Sequence, residues 1–141
     1  MIGEGPLVQV AQRAVDLERA AAFYADLLGV PVAATFQPPG LAFLLLGDTR
    51  LLLEVGAPSA LLYFAVDDLD ARVERLRASG VPIVTEPHTI FEHEDATLGP
   101  AGTAERMAFL TDSEGNTVAL VEHRPVAERP DAEDRRRRHS A

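Results

Sequence analysis

The chain has 141 residues, 47% of them hydrophobic, which is enough to build the core of one domain. Its net charge of -9 excludes nucleic acid as a partner, because phosphates would be repelled. With no cysteine there is no disulfide framework, thiolate nucleophile or Cys-ligated zinc, and apolar runs as short as Leu41 to Leu46 exclude a membrane span.

In chain order, residues 7–13 read as a strand. A helical pattern opens at Asp16, with Leu17, Ala20, Ala21, Tyr24, Leu27 and Leu28 on one face, and ends at Gly29. Asp16 is placed to cap the free amides of the first turn, and glycine enters the left-handed conformation that ends a helix. A short strand at 32–36 follows, then a hairpin of 41–46 and 50–55 around Gly47-Asp48. The pattern then repeats. A strand at 60–66 leads to Asp67-Asp68 and a helix with Leu69, Val73 and Leu76 on its inner face, stopped at Gly80. A short strand at 83–86, a long loop from Pro87 to Ala104, and a hairpin of 106–111 and 117–122 complete it. The second hairpin turns through Ser113-Glu114-Gly115-Asn116.

The order is βαβββ twice, in modules of about 6–57 and 59–124. This predicts an α+β fold, a single domain over 1–127 with mostly antiparallel, curved sheets forming a cup and helices on the outer face. The Arg-rich tail, 128–141 with Arg135 to Arg138, is expected to be disordered. The first residues carry no basic start and apolar stretch of a signal peptide, so a cytoplasmic location is expected.

Three stretches resemble the vicinal-oxygen-chelate superfamily of glyoxalases, bleomycin-resistance proteins and extradiol dioxygenases. They are Gln9-Val10-Ala11 with Val15 to Ala20, Phe23-Tyr24 and Leu27 to Gly29; Tyr63 to Asp70; and Asp112-Ser113-Glu114-Gly115-Asn116 before the last strand. The resemblance covers about residues 7–123 and implies a homodimer. It also implies four ligand positions in metal-dependent members, which fall on Gln9, Glu54, Leu61 and Ala119. Two of these have no donor atom, so no metal and no other cofactor is expected, unless His88 or His93 swings in.

Strand alternation assigns the cup's lining. Gln9, Ala11 and Arg13, Leu52 and Glu54, Leu61, Tyr63 and Ala65, and Thr117, Ala119 and Val121 face inward, while Leu62, Phe64 and Val66 meet the helix. The partner this suits is a small organic ligand with a few polar handles, with aromatic compounds among the candidates. The expected ligand contacts are Gln9, Arg13, Leu61, Tyr63, Phe109 and Ala119. Glu54, after three leucines, reads as a general base whose alternative fate is to reach water or pair with Arg13. His88, behind Pro87 at the start of the long loop, reads as its acid–base partner. His93 reads as an exposed residue of that loop, while His123 and His139 attract no role. Two functions compete: a metal-independent isomerase, lyase or cyclase using Glu54 and His88, and a drug- or metabolite-sequestering protein. A metal-dependent glyoxalase or epimerase is the third reading.

Overall fold

The computed structural model describes residues 5–126, so the expectation for the Arg135 to Arg138 tail lies outside the described residues. The chain divides into two compact units. One runs to Leu61 and takes in Thr111–Thr117; the other holds Leu62–Leu110 and the chain from Val118 on.

In the first unit, β1 (Gln9–Arg13), α1 (Leu17–Leu28), β2 (Val32–Phe36), β3 (Leu41–Leu46) and β4 (Thr49–Glu54) form one module. Its sheet has the order β1-β4-β3-β2, with β1 parallel to β4 and the other pairs antiparallel. Asp16 caps α1 by accepting from the Arg19 amide, and Gly29 ends it at φ 66°. The helix buries Leu17, Ala20, Tyr24 and Leu27, and the sheet buries Ala42, Leu44, Leu51 and Leu53. These are the alternate positions of β3 and β4, so one sheet face meets apolar side chains, while the other, Leu52 apart, is the more exposed.

The second unit repeats the plan with β5 (Tyr63–Ala65), α2 (Leu69–Ala78), β6 (Ile83–Glu92), β7 (Thr103–Thr111) and β8 (Thr117–Pro125) in the order β5-β8-β7-β6. Its core is Phe64, Leu69, Val73, Leu76, Ala104, Ala108, Leu110, Val118 and Leu120. Asp68 caps α2 from a left-handed conformation, φ 49°, and the helix stops at Ser79 just before Gly80. The α+β architecture of two βαβββ modules is as the repeat implied.

One expectation fails. The loop from Pro87 to Ala104 is in large part strand, because β6 continues to Glu92 and pairs with β7 as far as Glu92 opposite Ala104. Pro87 is accommodated because β6 is the outer strand of its sheet and its pairing shifts between Thr85 and His88. The true loop is confined to 93–102.

Candidate functional site

Register shows which side chains share the open face of the first sheet. Gln9, Ala11 and Arg13 stand opposite Arg50, Leu52 and Glu54; these in turn stand opposite Leu45, Phe43 and Leu41. Phe36, opposite Leu41, joins them at 52% exposure, and its ring meets that of Phe43 edge-on at 6.1 Å. The Arg50 guanidinium lies 5.9 Å from the Phe43 ring centre. This is a surface of aromatic and aliphatic groups carrying two arginines, one glutamine and one carboxylate. The carboxylate, Glu54, is half-buried at the strand end. It does not pair with its register neighbour: the Arg13 guanidinium donates instead to the Glu114 carbonyl oxygen at 3.1 Å. Among the described residues no ion pair of Glu54 is formed.

In the second unit Tyr63 stands opposite Ala119, and Ala65 opposite Val121. Thr85, His88 and Phe91 stand opposite Phe109, Met107 and Glu105. The Tyr63 and Phe109 rings meet edge-on at 6.2 Å, so Tyr63 stands beside both Phe109 and Ala119. Ala119 itself is fully buried. Leu61, half exposed, lies before β5 rather than in it. His88 is an exposed residue of β6, not of a loop, and its Nδ1 lies 2.9 Å from the Glu86 carbonyl oxygen. A carbonyl only accepts, so this contact puts the proton on Nδ1 and leaves Nε2 as the basic atom of the neutral ring.

His93 overturns its reading. It is buried, at 5% exposure, because the loop is short and its backbone is fixed by His93 N–H to Thr103 O and Gly102 N–H to His93 O, both 2.8 Å. Its Nε2 lies 2.9 Å from Glu105 Oε1, and His123 Nε2 lies 2.9 Å from the same oxygen. The sequence offered no signal for this trio beyond three polar residues at strand ends, since the strand register that joins them was hidden by Pro87.

Two further carboxylates were missed. Glu114, in the turn after β7, accepts from the amides of Val15 and Asp16 at 2.8 and 2.7 Å and from Arg19 Nε at 2.8 Å. Burial alone would raise its pKa, but the Arg19 guanidinium, the two amides and the Ser113 hydroxyl outweigh it and hold the carboxyl down at about 2. Glu122 accepts from the Leu69 amide at 2.9 Å and from Arg124 at 3.0 Å. Both therefore sit at helix starts, where amides are free and the helix dipole favours negative charge.

The superfamily's four metal positions do not fit an ion. Gln9 stands opposite Arg50 and Glu54 opposite Arg13, so the two are four residues apart along paired strands, about 13 Å. Leu61 and Ala119 supply no donor. None of the expected catalytic or ligand-contact residues borders either of two clefts seen within the units, although Ala65 and Val121, read as cup lining, border the first. One, of about 330 Å³, is bounded by 65–68 and 121–125; the other, of about 300 Å³, lies between α1 and Val32, Thr35 and Ala42.

Residues 7–120 match the family model of the glyoxalase/bleomycin resistance protein/dioxygenase superfamily. A glyoxylase-like domain-containing protein from Didymella fabae is 30% identical over 132 residues, covering 85% of this chain and 95% of that protein. Among solved structures, lactoylglutathione lyase from Agrobacterium tumefaciens is 24% identical with a TM-score of 0.61, over 84% of this chain and 93% of that one. The antibiotic binding protein TnmS3 from Streptomyces is 21% identical with a TM-score of 0.61, over 87% and 99%. At these identities the structural likenesses speak for the fold, and the family match speaks for descent. The chain belongs to the glyoxalase/bleomycin resistance protein/dioxygenase superfamily.

Proposed function

We propose that this protein binds a small organic molecule on an open sheet face and moves a proton on it, with Glu54 as the general base. The observation that carries this reading is the state of Glu54. It is a half-buried carboxylate beside Leu41 and Leu52, and its cationic neighbour Arg13 is engaged elsewhere. Such a group is free to accept a proton from a carbon acid. In an isomerisation the proton leaves one carbon for the Glu54 carboxylate and is returned to another atom of the same molecule, so no co-reactant is consumed. His88, whose Nε2 is left basic by the Glu86 carbonyl, is assigned as a second proton carrier in its own unit. Gln9 and Arg13 in the first unit, and Tyr63 and Phe109 in the second, are assigned to ligand contact, with Leu61 and Ala119 as apolar contacts. No step runs through a cation at the superfamily's four positions. We also assign a homodimer, which light scattering at micromolar concentration would check.

A sequestering protein is the second reading. It is favoured by the aromatic first sheet face, with Phe36 and Leu45 more than half exposed, and by the charge of -9, which attracts a cationic compound. A thermal-shift screen of aromatic metabolites, followed by mass analysis of each incubated hit, separates the two. Glu54→Gln keeps shape and hydrogen-bonding reach but removes the base. Turnover should fall by about 10²- to 10⁴-fold with little change in affinity. A compound bound tightly and recovered unaltered from the wild type would leave only the sequestering reading.

A further inference from the structure

We infer that His93, Glu105 and His123 form a site for one divalent transition-metal ion, a set of ligands distinct from the four superfamily positions and independent of the Glu54 reading. One donor atom from each residue lies within 4.8 Å of the others. Two of the spacings are 2.9 Å, both from an imidazole Nε2 to Glu105 Oε1. A tetrahedral ion with bonds of about 2.0–2.1 Å holds its donors about 3.3 Å apart, so side-chain adjustments of a few tenths of an ångström suffice. Each imidazole must then carry its proton on Nδ1 and turn the Nε2 lone pair to the ion, a tautomeric change that consumes nothing. Two imidazoles and a carboxylate suit zinc, and also iron, cobalt or nickel, rather than calcium or magnesium, which prefer all-oxygen shells.

The surroundings support an ion over a bare hydrogen-bonded trio. The His93 and Glu105 side chains are 2% and 12% exposed, and both are held by strand pairing around 93 and 105. Gly99 closes over the trio with no side chain. A Cβ there would stand 2.8 Å from His93 Nε2 and 3.0 Å from His123 Nε2, on ground an ion and its fourth ligand would need. His123, a third exposed, also lines the 330 Å³ cleft bounded by 65–68 and 121–125, which gives an ion a route in.

The test is calorimetric titration of Zn²⁺ into the untagged, full-length chain, with Co²⁺ absorption as the spectroscopic signature of a tetrahedral nitrogen and oxygen shell. One ion per chain at micromolar Kd or tighter is expected. His123→Ala should weaken it by about 100-fold or more, and Glu105→Gln by at least about 10-fold. Because His123 is partly exposed, His123→Ala should keep the wild-type circular dichroism. Should it unfold, His123→Gln retains a donor to Glu105 while removing the imidazole, and the same loss is expected. Glu54→Ala should bind Zn²⁺ as the wild type does. Absence of binding to the wild type overturns the site, as does binding that survives loss of His123 or disappears with Glu54→Ala.

Discussion

The two helices begin alike in sequence and are held differently in space. Each opens on an aspartate cap and receives a second carboxylate from the last hairpin. At α1 that carboxylate is Glu114, whose side chain is completely buried and which takes two amides and one guanidinium. At α2 it is Glu122, which takes one amide and shares Arg106 and Arg124 with the half-exposed Asp70. Both carboxylates are buried; the first is held by two amides and an exposed guanidinium, the second by one amide and two arginines that it shares. A repeated sequence pattern thus fixes where a carboxylate is needed, while the number of amides it takes decides how much it matters.

The comparison can be broken by removing each anchor in turn. Glu114→Ala removes the acceptor of two amides and leaves the exposed Arg19 guanidinium to water, and should destabilise the protein by about 2–3 kcal/mol in urea unfolding. Glu122→Ala loses one amide contact and leaves two arginines with Asp70, so about 1.5–2 kcal/mol is expected. If the second loss equals or exceeds the first, the number of amides anchored is not what ranks them. Acid sharpens the point. The Glu114 carboxyl titrates at about 2 in the folded protein against 4.5 ordinarily, so its contribution is complete above pH 4.5 and fades as pH falls toward 2. Glu114→Gln should flatten the stability–pH curve in that window. The smallest effect concerns the caps. Asp16 caps from extended backbone and Asp68 from φ 49°. Asp68→Ala should therefore cost about 1 kcal/mol more than Asp16→Ala, whereas Asp68→Gly stays within about 0.5 kcal/mol of wild type.

Much of the scaffold was legible because its signals are local. Asp16, Gly29, Asp68 and the Gly47 and Gly115 turns each declare themselves within a few residues. The faces of β1, β4, β5 and β8 followed from period-two alternation, so Glu54 and Arg13, and Tyr63 and Ala119, stand side by side on the faces read for them. What failed was non-local or masked by one residue. Pro87 made a strand look like the start of a loop, which hid the pairing that brings His93 to Glu105. Glu114 and Glu122 looked like turn and strand-end charges, because the amides they accept from lie 98 or 99 and 53 positions away. Gln9 and Glu54 share a face but stand four residues apart along it, because alternation fixes a face and not a position along it.

Gln12 has a consequence of its own. It is fully buried on the helix-facing side of β1, and its carboxamide both donates to the Ala60 carbonyl and accepts from the Ala60 amide, each at 2.8 Å. A side chain there does what a neighbouring strand would do, for a residue that belongs to no strand. In deuterated water the Ala60 N–H should therefore exchange as slowly as the amides of β3 and β4, while those of Pro58's and Leu61's neighbourhood exchange quickly. Replacing Gln12 with leucine would release that one proton to solvent and make the segment between β4 and β5 a place where a protease could enter.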